Sequence, residues 1–496
     1  MLYMKKLVFL SLVLIPSGIF SQNETDALRY SQNYFGGTTR FISTGSAFSS
    51  ITADMSAISI NPAALGKYKG SELTISPAFK YNKSTASFRD GIMDDFKFRF
   101  QMNNIGLVVT HSKGDDVDWK SVSFAFTYNR INDFNRSINI DGYNDESSMT
   151  DYFAALANGK KVEQFNGFIE GLAWEAYLID PDSTAGTNRY RTTLPKYGAR
   201  QVKNIDTRGG MGEYVFAIAG NYKNVLQLGM SLGIQSVRYK EISQYSEIDE
   251  KDSIPSFNFF EYNKELKTTG SGFNFKFGMI YSPIPWFKFG LGLHTPTFFN
   301  LSDSYSSSIK SSFSDTLHGN GKLIKSKLGY YDYELTTPFR AIASTGFVLF
   351  SADENGTNVP LASLSIEYEY VDYSIARLRA EDYTFRDENK IIERAYTSVG
   401  NIRTGMEFRL SSIFLRGGFG YYPSPYKKGL ANDKSHRMSY SFGVGIKGDN
   451  TYLDIGFVYV DQKEKYFLYD PALVPNTPAD IRYNNFGVYT TLGFRF

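Results

Sequence analysis

The side chains of this 496-residue chain best equipped for chemistry are charged, and they gather in its C-terminal half. Glu367, Glu369, Arg403, Glu407, Arg409, Arg416, Asp454 and Arg495 lie in segments where polar and apolar residues alternate, and all fall on the polar side. Arg340, Lys276 and Lys288 hold equivalent places in earlier segments. Opposite charges on one face of neighbouring strands come close enough to pair. One chemistry is therefore a wall of ion pairs. The other is anion recognition, since a guanidinium without a carboxylate partner is well shaped to accept a ligand carboxylate. The spacing does not select which arginine would do so.

Catalytic readings find little to stand on. The four histidines, His111, His294, His318 and His436, are scattered and lack the spacing of metal ligands. There is no Cys for a thiolate or a disulfide. A Gly-x-Ser-x-Gly turn between strand and helix is not visible. No catalytic residue, metal or cofactor is expected, and His294 is read as a residue of a lumen or its rim. With 53 basic against 51 acidic residues, the chain has no basic field for nucleic acid.

The alternation itself defines the elements. Phe486, Val488, Leu492, Phe494 and Phe496 share one face of a strand, and Gly487, Tyr489, Thr491, Gly493 and Arg495 share the other. Met438 to Ile446, Phe273 to Tyr281 and Leu226 to Ile234 alternate in the same way, with Gly, Ser, Asn and Gln between the apolar residues. About ten residues with a period of two is the length a tilted strand needs to cross a bilayer. The mean hydropathy of −0.30 excludes a bundle of membrane helices. Aromatic enrichment, with 41 Phe and 36 Tyr, suits strands that meet lipid and its interface.

Fourteen such segments can be placed between 71–82 and 485–496, and the gaps between them alternate strictly between long and short. An all-β fold is expected: a transmembrane antiparallel β-barrel of about 14 strands, with long loops outside and short turns facing the periplasm. Both termini would be periplasmic, and the barrel would occupy residues 70–496. A final strand ending in Phe496 fits a bacterial outer-membrane barrel inserted by the assembly machinery.

Upstream, Lys5 and Lys6 precede an apolar run from Leu7 to Ile15 and a small residue at Ser21. This pattern predicts a secretory signal peptide over 1–21. Residues 22–69 are rich in small side chains and end in Asn61, Pro62, Ala63, Ala64 and Leu65.

That small-residue block, its Asn-Pro-Ala motif and the step into the first strand resemble the FadL/OmpP1/TodX family of outer-membrane transporters for hydrophobic compounds. The resemblance continues through the fourteen strands, through GSGFNFKFG from Gly270 and HTPTFF from His294, and is greatest to the Bacteroidota branch. It implies a monomeric barrel whose lumen is closed by an N-terminal hatch. Asn61, Pro62 and Ala63 would lie in that hatch; the alternative is a simple turn before the first strand. It also implies passive uptake of long-chain fatty acids or other apolar molecules. Outer loops would capture them, an apolar lumenal pocket would hold them, and movement of the hatch with a lateral opening in the wall would release them.

The longest predicted loop, 131–211, carries apolar residues at helical spacing: Val162, Phe165, Phe168, Ile169, Leu172, Ala173 and Ala176, preceded by Met149, Tyr152, Phe153 and Leu156. An amphipathic pair must cover something apolar. Phe153, Phe165, Phe168, Ile169 and Leu172 either dock a ligand, as the resemblance favours, or pack on one another to cap the barrel. Asn132-Asp133, after the third strand, either breaks the wall or merely ends the strand.

Two functions stay open. One is an uptake channel with a hydrophobic ligand and membrane lipid as partners. The other is a non-transporting barrel of the same kind, serving as an accessory subunit of a larger outer-membrane secretion or assembly complex.

Overall fold

The computed structural model describes residues 24–114, 116–314, 322–352 and 358–496. The predicted signal peptide at 1–21 and His318 lie outside the described residues. Fourteen strands form the wall. They are β1 (Glu72–Phe88), β2 (Gly91–Ser112), β3 (Trp119–Asp133), β4 (Ala199–Tyr222), β5 (Leu226–Ile248), β6 (Phe257–Ile284) and β7 (Phe287–His294), followed by β8 (Arg340–Ala352), β9 (Asn358–Asp372), β10 (Ser398–Leu410), β11 (Ile413–Tyr422), β12 (Arg437–Lys447), β13 (Thr451–Tyr466) and β14 (Ala479–Arg495). Each pairs antiparallel with its chain neighbour, and β1 pairs with β14, so the sheet closes on itself. Closure matters in lipid, because an open edge would leave backbone groups without partners.

The alternation decides which face meets lipid. Phe273, Phe275, Phe277, Phe442, Phe457, Phe486 and Leu492 all point outward and are exposed, making an apolar belt around the barrel. Tyr214, Tyr440 and Tyr459 add aromatic groups at that surface. Between these residues the inward positions are small, polar or charged, with an occasional aromatic such as Tyr489.

The strands are longer than the sequence pattern foretells. The sixth was expected over about 270–282, yet β6 has 28 residues. In β5 the outward positions turn polar at Ser236, Arg238, Lys240 and Gln244, while the ladder with β4 runs on to Ile248. Apolar alternation stops at the membrane surface because lipid stops there; hydrogen bonding does not. The expected long loops are thus partly sheet. The first is a hairpin turning at Arg89-Asp90, with the strands paired up to Phe88 and Gly91.

The expected loop 131–211 is corrected in the same way. Arg136–Asn144 pairs with the start of β4, leaving 145–198 as the connection. Within it lie α-helices at Met149–Ala157 and Glu170–Glu175. The single stripe expected over 162–176 is interrupted: the Asn166 side chain accepts from the Phe168 N–H at 2.8 Å, a local turn that competes with a helix, and Gly167 follows. The connection packs on the strand extensions beyond the belt. There Phe153, Leu172 and Ala173 join Tyr245, Phe260 and Tyr262 in one apolar cluster.

Candidate functional site

Residues 24–68 lie inside the barrel, and the inner wall is shaped to receive them. Across β5 to β7 and β10 to β13 the wall is often glycine where the segment touches it. A Cβ on Gly278 would stand 2.0 Å from Asn61 Oδ1, and one on Gly405 would stand 2.1 Å from the Thr44 carbonyl oxygen. The small inner residues therefore let one backbone lie directly on another.

Asn61 anchors the middle of the segment. Its Oδ1 accepts from the Ala63 N–H at 3.1 Å and caps the 3₁₀ turn Pro62–Lys67. Its Nδ2 donates to the carbonyls of Met279 at 3.2 Å and Leu291 at 3.1 Å, on β6 and β7. Pro62 and Ala63 are buried beside Gly229 and Gly278. Nearby, Lys276 pairs with Glu213 at 2.5 Å and donates to the Ser59 carbonyl at 2.9 Å. His294 holds the Ile60 carbonyl at 2.7 Å through Nε2.

Most of the C-terminal charges predicted to face inward are engaged with one another or with this segment. Arg403, fully buried, bridges Glu367 at 2.6 Å and Glu369 at 2.8 Å. Arg340 pairs with Glu369 and also donates to the Ser31 carbonyl. Glu367 accepts from Ser49. Lower in the wall, Glu407 takes both Arg416 and Arg40 at 2.6 Å, and Arg416 reaches Asp454 at 2.5 Å. Arg40 and Ser49 belong to the N-terminal segment, so these clusters join wall to plug. Arg409 stands apart: its Nε donates to the Ser411 carbonyl at 2.9 Å, and no ion pair forms among the described residues. Arg495 pairs with Glu72 at 2.8 Å across the β1–β14 seam.

Two further guanidinium groups without a carboxylate partner, Arg136 and Arg437, were not among the predicted inward charges. Arg136 lies over the Tyr483 ring at 4.4 Å and Arg437 over the Tyr34 ring at 4.1 Å. Neither makes an ion pair among the described residues, and Arg437 Nε has no hydrogen-bond partner there. Both line two adjoining cavities of about 100 and 240 Å³ that share Tyr34, Asn132, Asp133 and Tyr422. Arg136 fell in a predicted loop, and Arg437 lay one residue before the predicted strand 438–447. Asp133, also in the lining, is paired with Lys80 at 3.1 Å.

Beside these cavities the wall is incomplete. The β2–β3 ladder stops at Asn104 and Asn129. Around that level the pairing of β1 with β2 shifts between Ser76 and Pro77, leaving Asn103 unpaired, and the pairing of β3 with β4 shifts between Arg130 and Asn132. Proline cannot donate to a ladder, and a bulge bends the strand that carries it. Above the stop, side chains span the gap: Arg99 Nε donates to Asn135 Oδ1 at 3.0 Å and Asn82 Nδ2 to the Asn135 carbonyl at 2.6 Å. A groove of about 530 Å³ lies there, lined by Phe100, Ile105, Phe126, Tyr128 and Tyr214. Arg130 and Asn135 line both this groove and the smaller inner cavity, so the wall is one side chain thick.

The plug closes this gap from within. The Gly36 N–H donates to the Arg130 carbonyl on β3 at 2.9 Å, and Asn103 Nδ2 of β2 donates to the Gly37 carbonyl at 2.6 Å. Gly37 has φ +138°, and a Cβ there would meet Ser56 Oγ at 2.0 Å. Adjacent glycines inside a small-residue block were the available signal.

The predicted docking residues are placed in the cap. Phe153 and Leu172 are buried, and Phe165 and Ile169 are half-buried against the same cluster. The Phe168 ring packs on Tyr305 with centroids 4.7 Å apart.

No family model and no curated protein sequence matches the chain. Among solved structures, a Pseudomonas aeruginosa FadL homologue superposes with a TM-score of 0.53 at 11% identity, over 94% of this chain and 100% of that one. The Pseudomonas putida toluene transporter TodX gives a TM-score of 0.53 at 8% identity, over the same shares. The chain therefore has the fold of these FadL-type barrels.

Proposed function

We propose that the protein is an outer-membrane channel for passive uptake of hydrophobic compounds, and that it suits those with an acidic end, such as long-chain fatty acids. The observation that carries this reading is the pair of guanidinium groups without a carboxylate partner among the described residues, Arg136 and Arg437, in a cavity lined by tyrosines and polar groups beside a gap in the wall. A carboxylate would satisfy both, and Tyr34, Tyr422, Tyr426 and Tyr483 would flank the start of the apolar chain. The shared fold with a toluene transporter supports a hydrophobic ligand.

The long-loop end would face outward, with the termini in the periplasm. A ligand entering under the cap would reach the cavity and leave sideways between β2 and β3. Gly36-Gly37 would govern that step, because the same residues touch both edges of the gap and belong to the hatch. Release thus couples hatch movement to lateral opening, and Asn61, Pro62 and Ala63 hold the rest of the hatch in place. The accessory-subunit reading has one observation in its favour: Ile92 and Phe96, at 72% and 63% exposure, lie on the β1–β2 hairpin level with or beyond polar neighbours such as Asn484 and Arg482.

The test is lipid mass spectrometry on the barrel purified in a detergent without fatty chains. We expect a stoichiometric acidic amphiphile, lost from the double variant Arg136→Gln/Arg437→Gln while the barrel stays folded. An empty wild-type barrel that copurifies with other outer-membrane proteins would overturn the transport reading in favour of the accessory one.

A further inference from the structure

The outside of the same wall carries a feature that passage through the lumen does not explain. Below the groove at the gap, and sharing Phe126 with it, a second groove of about 620 Å³ runs across β2 to β6. Its outward residues include Leu107, Val109, Phe216, Met230 and Phe277. A convex wall meets acyl chains along a line; a trough surrounds one. The upper end differs in kind. Tyr128 and Tyr214 mark an aromatic boundary there, the position aromatic side chains favour between hydrocarbon and headgroups.

At that boundary two cations share one carboxylate, and a third, Arg99, set between the exposed Phe98 and Phe100, reaches the groove through the gap. Lys97 and Arg208 both pair with Asp206, at 2.5 and 2.7 Å, and Arg99 stands next to Lys97. Arg99 uses Nε on Asn135, and no carboxylate pairs with its guanidinium among the described residues. Excess positive charge above an apolar trough is complementary to one chemistry: a phosphate with an acyl chain beneath it.

We infer that this outer trough is a binding site for a phosphorylated lipid of the leaflet on the long-loop side, with its phosphate on Arg99 and one acyl chain along Phe126, Leu107 and Val109. A lipid held there would cover the gap from the lipid side, opposite Gly36-Gly37. The inference concerns the exterior and stands whether or not a ligand passes through the lumen.

Native mass spectrometry of the full-length folded barrel, delipidated and then titrated with phosphatidic acid or the chain-matched diacylglycerol, tests it. The wild type should keep one phosphatidic acid under activation that strips diacylglycerol. Losing the charge-assisted contacts in Arg99→Gln should cut that preference about tenfold. Leu107→Trp, which fills the trough, should weaken retention of both lipids. Heat-modifiable gel migration confirms that each variant is folded, and Arg208→Gln is the second charge variant should Arg99→Gln not assemble. Equal retention of the two lipids by the wild type, or an unchanged preference in folded Arg99→Gln and Arg208→Gln, would overturn the inference.

Discussion

The wall from β8 to β13 and the wall from β1 to β3 enclose the same plug in opposite ways. The first is bonded at mid-depth: its ladders run there without a stop, and its inward charges are spent on one another and on Arg40, Ser31 and Ser49 of the plug, with Arg437 at the upper end of β12 and Arg409 at the lower end of β10 as the exceptions. The second has a broken ladder, an unpaired Asn103 and side chains in place of backbone bonds. The guanidinium groups of Arg136, beyond β3, and Arg437, at the start of β12, have no carboxylate partner among the described residues and face the cavities beside the broken wall. Charge at mid-depth in the sealed wall is structural because Glu367, Glu369, Glu407 and Asp454 each have a cation. Arg136 and Arg437 beside the gap are available because each lies over a tyrosine ring and neither forms an ion pair among the described residues, while Asp133 in the same lining is taken by Lys80. The location of unspent charge, more than its amount, separates the part that holds from the part that can exchange a ligand.

The largest blow to that contrast is struck inside the sealed wall. Arg403→Met leaves Glu367 and Glu369 buried with their principal cation gone. Removing one partner of a buried ion pair costs about 3–5 kcal/mol. Urea unfolding followed by tryptophan fluorescence should show a loss of that size. An unchanged midpoint would mean the cluster is not what binds this wall to the plug.

How much of this could be read beforehand follows the same division. The wall was legible because lipid and lumen impose a period of two, and Glu367, Glu369, Arg403, Glu407 and Arg416 fell on the inner face by parity alone. The charges not tied into the sealed wall were another matter. Arg136 opens a segment above the belt whose alternation is carried by Ile138 and Ile140 alone, too short to separate from the predicted loop around it. The gap was equally hidden. Pro77 was inside a predicted strand, and a ladder that ends between two regular strands leaves no mark in either sequence.

A smaller and more local effect is expected at the gap. Gly37→Val places a side chain where Ser56 Oγ stands and forces a valine to φ +138°, a strain of about 1–3 kcal/mol. The barrel should still fold, since the residue lies in the plug. Planar-bilayer recordings should show higher and noisier conductance than the wild type. Gly429→Val is the matched control, because Gly429 also has a positive φ, +91°, but nothing within 4 Å of an added Cβ. Equal conductance in the two variants would remove Gly36-Gly37 from its place as the inner closure.

The gentlest probe uses pH, and it sharpens the contrast by turning to a carboxylate with no cation. Glu247 lies at the far end of β5, past the polar outward positions that end the belt. It accepts from the Met149 N–H and from Ser148 at 2.7 Å, from Tyr245 at 2.6 Å and from Gln201 at 3.2 Å, all uncharged donors. Burial outweighs these bonds and pushes its carboxyl up from 4.5 to about 7. A group raised on folding stabilises most when protonated. Its contribution is complete below 4.5, declines as pH rises, and is gone above about 7. The cap over 145–198 should therefore open more readily at pH 8 than at pH 5.5, while the arginine-paired wall stays as it is. Limited proteolysis, normalised to cleavage of an unstructured peptide at each pH, should show loop cutting several-fold faster at pH 8. Glu247→Gln, which cannot ionise, should flatten that difference. Faster cutting at pH 5.5, or a pH dependence that survives the substitution, would show that the cap is held by its apolar cluster and not by this carboxyl.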